Sequence, residues 1–155
     1  MIPTKNAQNR REYDAAGDHA NILVLQNGKN YKVSCMIGLS PPRYIPQIAV
    51  VDTGAGPNII RKDLIPKDWK YEGMEKSSVQ MHIKDANGRL LSSVGTLRLP
   101  CQVGGLTTNT DSSVVEGLEF PIILGCNYID KNILSIRPKE RIIELRGHKR
   151  AYLHG

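Results

Sequence analysis

Aromatic side chains are scarce: they make up 5% of the 155 residues, with a single Phe and a single Trp. A core built from this chain must be aliphatic, and Ile, Leu and Val recur through its middle. Cysteine is sparser still. Cys35, Cys101 and Cys126 are odd in number and widely spaced, which argues against a disulfide framework and fits no zinc-binding pattern. They read as free thiols in a reducing compartment. No run of about 20 apolar residues occurs, so no membrane-spanning helix is expected. The opening segment MIPTKNAQNRREYD lacks the apolar stretch of a secretion signal. No repeat of solenoid length is present.

What the chain does contain is enough apolar residue, 40%, to form a globular unit. Its formal charge is +6, with basic residues gathered at the ends: Lys5, Arg10 and Arg11, then Arg137, Lys139, Arg141, Arg146, Lys149 and Arg150. Such a surface attracts nucleic acid, although a solvated basic surface has the same composition. Residues 1–20 are polar and read as a flexible leader or polyprotein linker, 21–146 as one folded domain and 147–155 as a basic tail. Within the domain, short apolar runs alternate with turn residues. Strands are expected near 22–26 and 31–37, joined as a hairpin by Asn27-Gly28, and near 45–51, 58–60, 79–83, 90–103, 114–115 and 120–124. Residues 107–113 read as a polar loop. Asn127 reads as the N-cap of a short helix through Lys131, and 142–145 as the last strand. Many short strands with close turns argue for an all-β fold.

The most informative segment is Ile48-Ala49-Val50-Val51-Asp52-Thr53-Gly54-Ala55. An apolar strand delivers a carboxylate into a turn of small residues. Placing an acid beside four aliphatic residues is costly and needs a reason. General acid–base catalysis is one, because a carboxyl in a low-dielectric site holds its proton closer to working pH. The alternative is an ordinary strand-ending turn. A second segment, Phe120-Pro121-Ile122-Ile123-Leu124-Gly125-Cys126-Asn127-Tyr128-Ile129, runs an apolar strand through Gly into a helix. Between the two lies the turn-rich stretch Lys84-Asp85-Ala86-Asn87-Gly88-Arg89.

Together these segments resemble the retropepsins, the aspartic proteases of retroviruses and long-terminal-repeat retrotransposons. The resemblance rests on Val50-Val51-Asp52-Thr53-Gly54-Ala55 and on Ile123-Leu124-Gly125-Cys126-Asn127-Tyr128-Ile129, with 73 residues from Asp52 to Gly125. It implies a closed acid-protease β-barrel with one short C-terminal α-helix and a flap hairpin. It implies that Asp52 is the catalytic acid/base, that Thr53, Gly54 and Ala55 complete the active-site loop, and that Ala86, Asn87 and Gly88 at the flap tip touch substrate. Gly125 and Asn127 would start a helix supporting that loop. Aspartic proteases share one proton between two carboxylates. A chain with one Asp-Thr-Gly therefore implies a homodimer, with Asp52 of each copy at the twofold axis. No metal or organic cofactor is implied. The expected partners are a second copy and a peptide or polyprotein substrate, with nucleic acid as an addition from the basic ends and no membrane. The expected location is cytoplasmic or within virus-like particles. The competing expectation is a catalytically silent retropepsin-like module for dimerisation or peptide binding.

Overall fold

The structure, a computed structural model, describes residues 8–13, 19–24, 30–40, 43–67, 81–84 and 89–154. In chain order its elements are β1 (Gln8–Tyr13), β2 (His19–Val24), β3 (Asn30–Ser40), β4 (Arg43–Asp52), β5 (Asn58–Arg61), a 3-10 turn (Lys62–Leu64), β6 (Met81–Lys84), β7 (Leu90–Val103), β8 (Leu106–Val115), β9 (Ile122–Leu124), α1 (Cys126–Asn132), β10 (Ile133–Arg137), β11 (Ile142–Leu145) and β12 (Lys149–Tyr152). The chain is mostly β with one short helix among the described residues, as its many short apolar runs imply.

The expected closed barrel is not what forms. Nine strands make one sheet in the order β1-β2-β6-β7-β3-β4-β9-β5-β8, and the sheet does not close end to end. Its last strand, β8, folds back onto β7 within the sheet, while β1 stays at an edge. The reason lies in β7. This strand of 14 residues pairs with β6 near its start, with β3 near its end and with β8 along most of its length. A register shift between Ser93 and Gly95 lets it bend. With β7 shared in this way, β2 and β1 continue outward from β6 and find no closing partner. Strands β10, β11 and β12 form a separate antiparallel sheet.

Two local expectations also change. The segments near 22–26 and 31–37 are not a hairpin: β2 pairs with β1 and, in parallel, with β6. The long antiparallel partner of β3 is β4, in register from Asn30↔Asp52 to Gly38↔Tyr44, with a shift before Ser40↔Arg43. The stretch expected as a polar loop, 107–113, lies inside β8, where Thr110, Ser112 and Val114 turn inward while Thr107, Asn109 and Asp111 face solvent. That is period-two alternation written with small hydroxyl residues.

The core is aliphatic, as the scarcity of aromatics requires. The main cluster gathers Val33, Ile37, Val51, Ile60, Leu99, Val114, Ile122, Leu124 and Ile143 around Tyr128. A second cluster on the opposite face joins Ala55, Ile59, Leu91, Val115, Leu118 and Ile123. Neighbouring residues such as Ile59 and Ile60 thus enter different clusters. Both faces of the central strands are covered, which explains why their sequences are continuously apolar rather than alternating. All three cysteines are buried and unbridged.

Strand β12, within the basic segment, is tied to the larger sheet. Val33 and Leu153 form an isolated bridge, and His154 N–H donates to Lys32 O at 2.9 Å. Gly104, in the β7–β8 turn, has φ +54, and a Cβ there would overlap the carbonyl of Arg150. Its neighbour Gly105 has φ +83, but the nearest atom to a Cβ is the end of Lys149, at 3.8 Å. Gly104→Ala therefore combines left-handed strain with a backbone clash and should lower stability by about 3 kcal/mol. Gly105→Ala meets only the strain, about 1 kcal/mol. Denaturant midpoints of the two variants check this ordering; equal losses would refute the docking of β12 beneath the turn.

Candidate active site

The site grows out of strand order. β9 lies between β4 and β5, parallel to β4 and antiparallel to β5. β4 therefore ends, and β5 begins, at the end of the sheet where β9 leaves it. The connection from Thr53 to Pro57 must cross the exit of β9, and the chain leaving β9 must pass directly beneath it. Two chain segments 73 residues apart in sequence are forced together at Asp52 and Gly125.

The crossing is held by backbone hydrogen bonds. Ala55 N–H donates to Asp52 O at 3.2 Å, which closes the turn. Cys126 N–H donates to Ala55 O at 2.7 Å, and Asn127 N–H donates to Gly56 O at 2.9 Å. These two amides open α1, where no intrahelical acceptor exists for them. The loop supplies the acceptors, so the helix does not need a side-chain cap. The N-cap position is Gly125 rather than the expected Asn127, whose side chain faces solvent. Gly125 has an ordinary φ of −92, and what demands glycine is space. A Cβ there would strike the carbonyl oxygen of Pro57 and lie 2.7 Å from that of Ala55 and 2.9 Å from that of Gly56.

Asn58 completes the crossing and was not singled out from sequence. It is 5% exposed. Its Oδ1 accepts from Gly125 N–H at 3.1 Å and its Nδ2 donates to Asp111 O at 3.4 Å, linking β5 to both neighbours. The signal available was a single amide directly before the apolar pair Ile59-Ile60. Cys126 is a small buried residue, as read from sequence, with its Sγ 3.5 Å from Thr53 O.

Asp52 stands half-buried at the end of β4. Its Oδ1 accepts from Gly54 N–H at 2.8 Å. Burial raises its pKa above the ordinary carboxylate value, and the Gly54 N–H, which favours the charged form, offsets part of that rise. Thr53 and Ala55 beside it are buried, at 3% and 0% exposure. The structure thus brings Asp52, Thr53, Gly54, Ala55, Gly125 and Asn127 into one cluster. The flap residues Ala86, Asn87 and Gly88 lie outside the described residues. The strands on either side of them are paired antiparallel, with Lys84 opposite Leu90. Among the described residues no three His, Cys, Asp or Glu side chains converge as a metal site, and no helix is long and apolar enough to cross a membrane.

No protein-family model matches the sequence, and no curated protein does. Among solved structures the chain is similar to the retroviral protease-like domain of Ddi1 from Leishmania major, with a TM-score of 0.56 and 16% identity over 83% of this chain and 97% of that one. The likeness shows a retroviral-protease-like fold.

Two outcomes test this geometry. Because the folded chain binds the Asp52 proton more tightly than the unfolded chain, ionising Asp52 costs stability. The loss sets in as pH rises from the ordinary carboxylate value through the raised folded value, and it persists above. Asp52→Asn should therefore be more stable than the parent at neutral pH and equal to it at acid pH below both values. Denaturation at a series of pH values checks the sign; a variant less stable at neutral pH would contradict it. Gly125→Ala should lose about 3 kcal/mol through the clash with three carbonyls, read from the denaturant midpoint.

Proposed function

We propose that this chain is one subunit of a homodimeric aspartic endopeptidase of retroviral or retrotransposon type, with Asp52 as its half of the catalytic pair. The observation that carries the reading is Asp52 itself, an acid held at the end of a buried strand by Gly54 N–H in a retroviral-protease-like fold. An acid so placed destabilises its own chain when ionised, and a second copy gives that cost a use. Two Asp52 carboxyls at a twofold axis cannot both ionise, so they share a proton. The ionised one accepts a proton from water as the water attacks the peptide carbonyl. The protonated one donates to the carbonyl oxygen. Collapse of the tetrahedral intermediate sends a proton to the leaving nitrogen and frees both products. Thr53, Gly54 and Ala55 hold the carboxyl in place. Substrate enters as an extended strand under the hairpin of β6 and β7, with Ala86, Asn87 and Gly88 over it. The natural substrate in this reading is a polyprotein.

A second reading is a peptide-binding or dimerisation module without turnover. It is favoured by the loop itself, in which residues 52–57 hold a single carboxylate, so one chain alone lacks the pair that peptide hydrolysis uses. Cleavage of a peptide library at mildly acidic pH separates the two. A dimeric enzyme gives a rate that rises as the square of protein concentration while the dimer is the minor species. Asp52→Asn then lowers kcat/KM about 1000-fold or more and leaves association intact. Silence from a demonstrated dimer would replace the enzyme with the module.

A further inference from the structure

Six Lys and Arg residues and two Glu lie between 137 and 150, so this short stretch carries most of the net charge. Far from trailing as a solvated tail, it is built into the sheet of β10, β11 and β12. The register sets Arg137, Ile142 and Tyr152 in one row across the sheet and Ser135, Glu144 and Arg150 in the next. Ile143, Leu145 and Ala151 point the other way and are buried; Ile142 in the first row is buried as well, so the outer face exposes chiefly Arg137, Arg150 and Tyr152.

That face has an unusual composition for this chain. Tyr152 is 74% exposed although aromatics are scarce elsewhere. Arg150 stands two residues away on the same side. Arg137 reaches Glu144 at 3.0 Å and Glu140 at 3.4 Å, so both acids of the stretch are spoken for. Lys139, Arg141, Lys149 and Arg150 are exposed and make no ion pair among the described residues. A cavity of about 160 Å³ opens beside Lys149 and Arg150, lined also by Leu134, Glu144, Leu145 and His148. Arg141 and His148 sit in the two turns of this sheet at φ +57 and +58, a strained geometry for side chains other than glycine.

We propose that this outer face is a docking surface for single-stranded nucleic acid, with Tyr152 stacking on a base and Arg150, together with Lys139 and Arg141 of the adjoining turn, meeting the phosphates. Charge complementarity selects a polyanion. The exposed ring with Arg150 on the same side of its strand selects one that carries stackable bases over an acidic peptide or a lipid headgroup. The site is independent of whether Asp52 turns over, since no residue of the loop 52–57 takes part.

The test uses the intact chain and a fluorescent single-stranded RNA of mixed sequence about 15 nucleotides long, followed by anisotropy at rising salt. Binding should weaken steeply with salt. Tyr152→Ala should weaken it about 5- to 100-fold with the salt slope unchanged, whereas Tyr152→Phe keeps the ring and should retain it. Lys139→Glu with Arg150→Glu should flatten the slope and abolish binding. Melting curves run alongside, and the exposure of all three side chains means they should superpose. Absence of binding at low salt would overturn the proposal. So would binding that Tyr152→Ala leaves unchanged, or firmer retention on phosphatidylserine vesicles than on RNA.

Discussion

The carbonyl oxygens of Ala55, Gly56 and Pro57 crowd the Cα of Gly125 so closely that no side chain fits between them. Much of the molecule follows from that crossing. It exists because β9 is inserted between β4 and β5, which makes the loop joining the outer two pass over the exit of the middle one. Backbone alone at 125 lets the passage close. Once it closes, the first two amides of α1 meet the carbonyls of residues 55 and 56, and Asn58 is brought to Gly125 N–H. A buried loop ordinarily leaves polar backbone groups without partners. Here the loop and the helix start each supply what the other lacks, so the chain can hold an irregular segment against its core.

Asp52 inherits its character from that arrangement. The loop fixes Gly54 so that its N–H faces the carboxylate, and Thr53 and Ala55 on either side of Gly54 are buried. The two effects oppose each other: burial favours the neutral acid and the amide favours the anion. The net direction is upward, so Asp52 holds its proton to a higher pH than a fully hydrated carboxylate does. The same balance makes Asp52, once ionised, a cost to the stability of the folded chain.

Sequence patterns revealed the two segments that meet at the crossing and little of what lies between them. Val50-Val51-Asp52-Thr53-Gly54-Ala55 and Ile123-Leu124-Gly125-Cys126 are legible because apolar runs ending in small residues are locally distinctive. Asn58 was not, since its importance depends on which strand becomes its neighbour. The Asn27-Gly28 pair is a sound local hairpin signal, yet β2 takes β6 as a parallel partner and β3 takes β4. Pairing is decided by the whole sheet, where a local turn preference is a small term. Strand β8 was hidden for a different reason. Thr107, Thr108, Asn109, Thr110, Asp111 and Ser112 look like a loop by polarity, but threonine and serine fit a half-exposed pleated surface. The closure of the sheet was illegible as well, because it depends on how many partners β7 accepts.

The separate sheet of β10, β11 and β12 shows how one contact changes the meaning of a charge cluster. Read as sequence, residues 147–155 are a basic tail whose cations repel one another and gain most by staying in water. In the structure Gly104 admits the Arg150 carbonyl, Leu153 pairs with Val33, and Ala151 is 5% exposed. Anchoring one face of β12 in this way fixes the direction of the other face. Tyr152 and Arg150 then cannot fold back onto the protein, and their charge and ring are presented outward at a set spacing. Ordering such side chains against a surface costs entropy, and a platform that is already ordered has met part of that cost before any ligand arrives. A cationic strand held this firmly is a different physical object from a tail of the same composition.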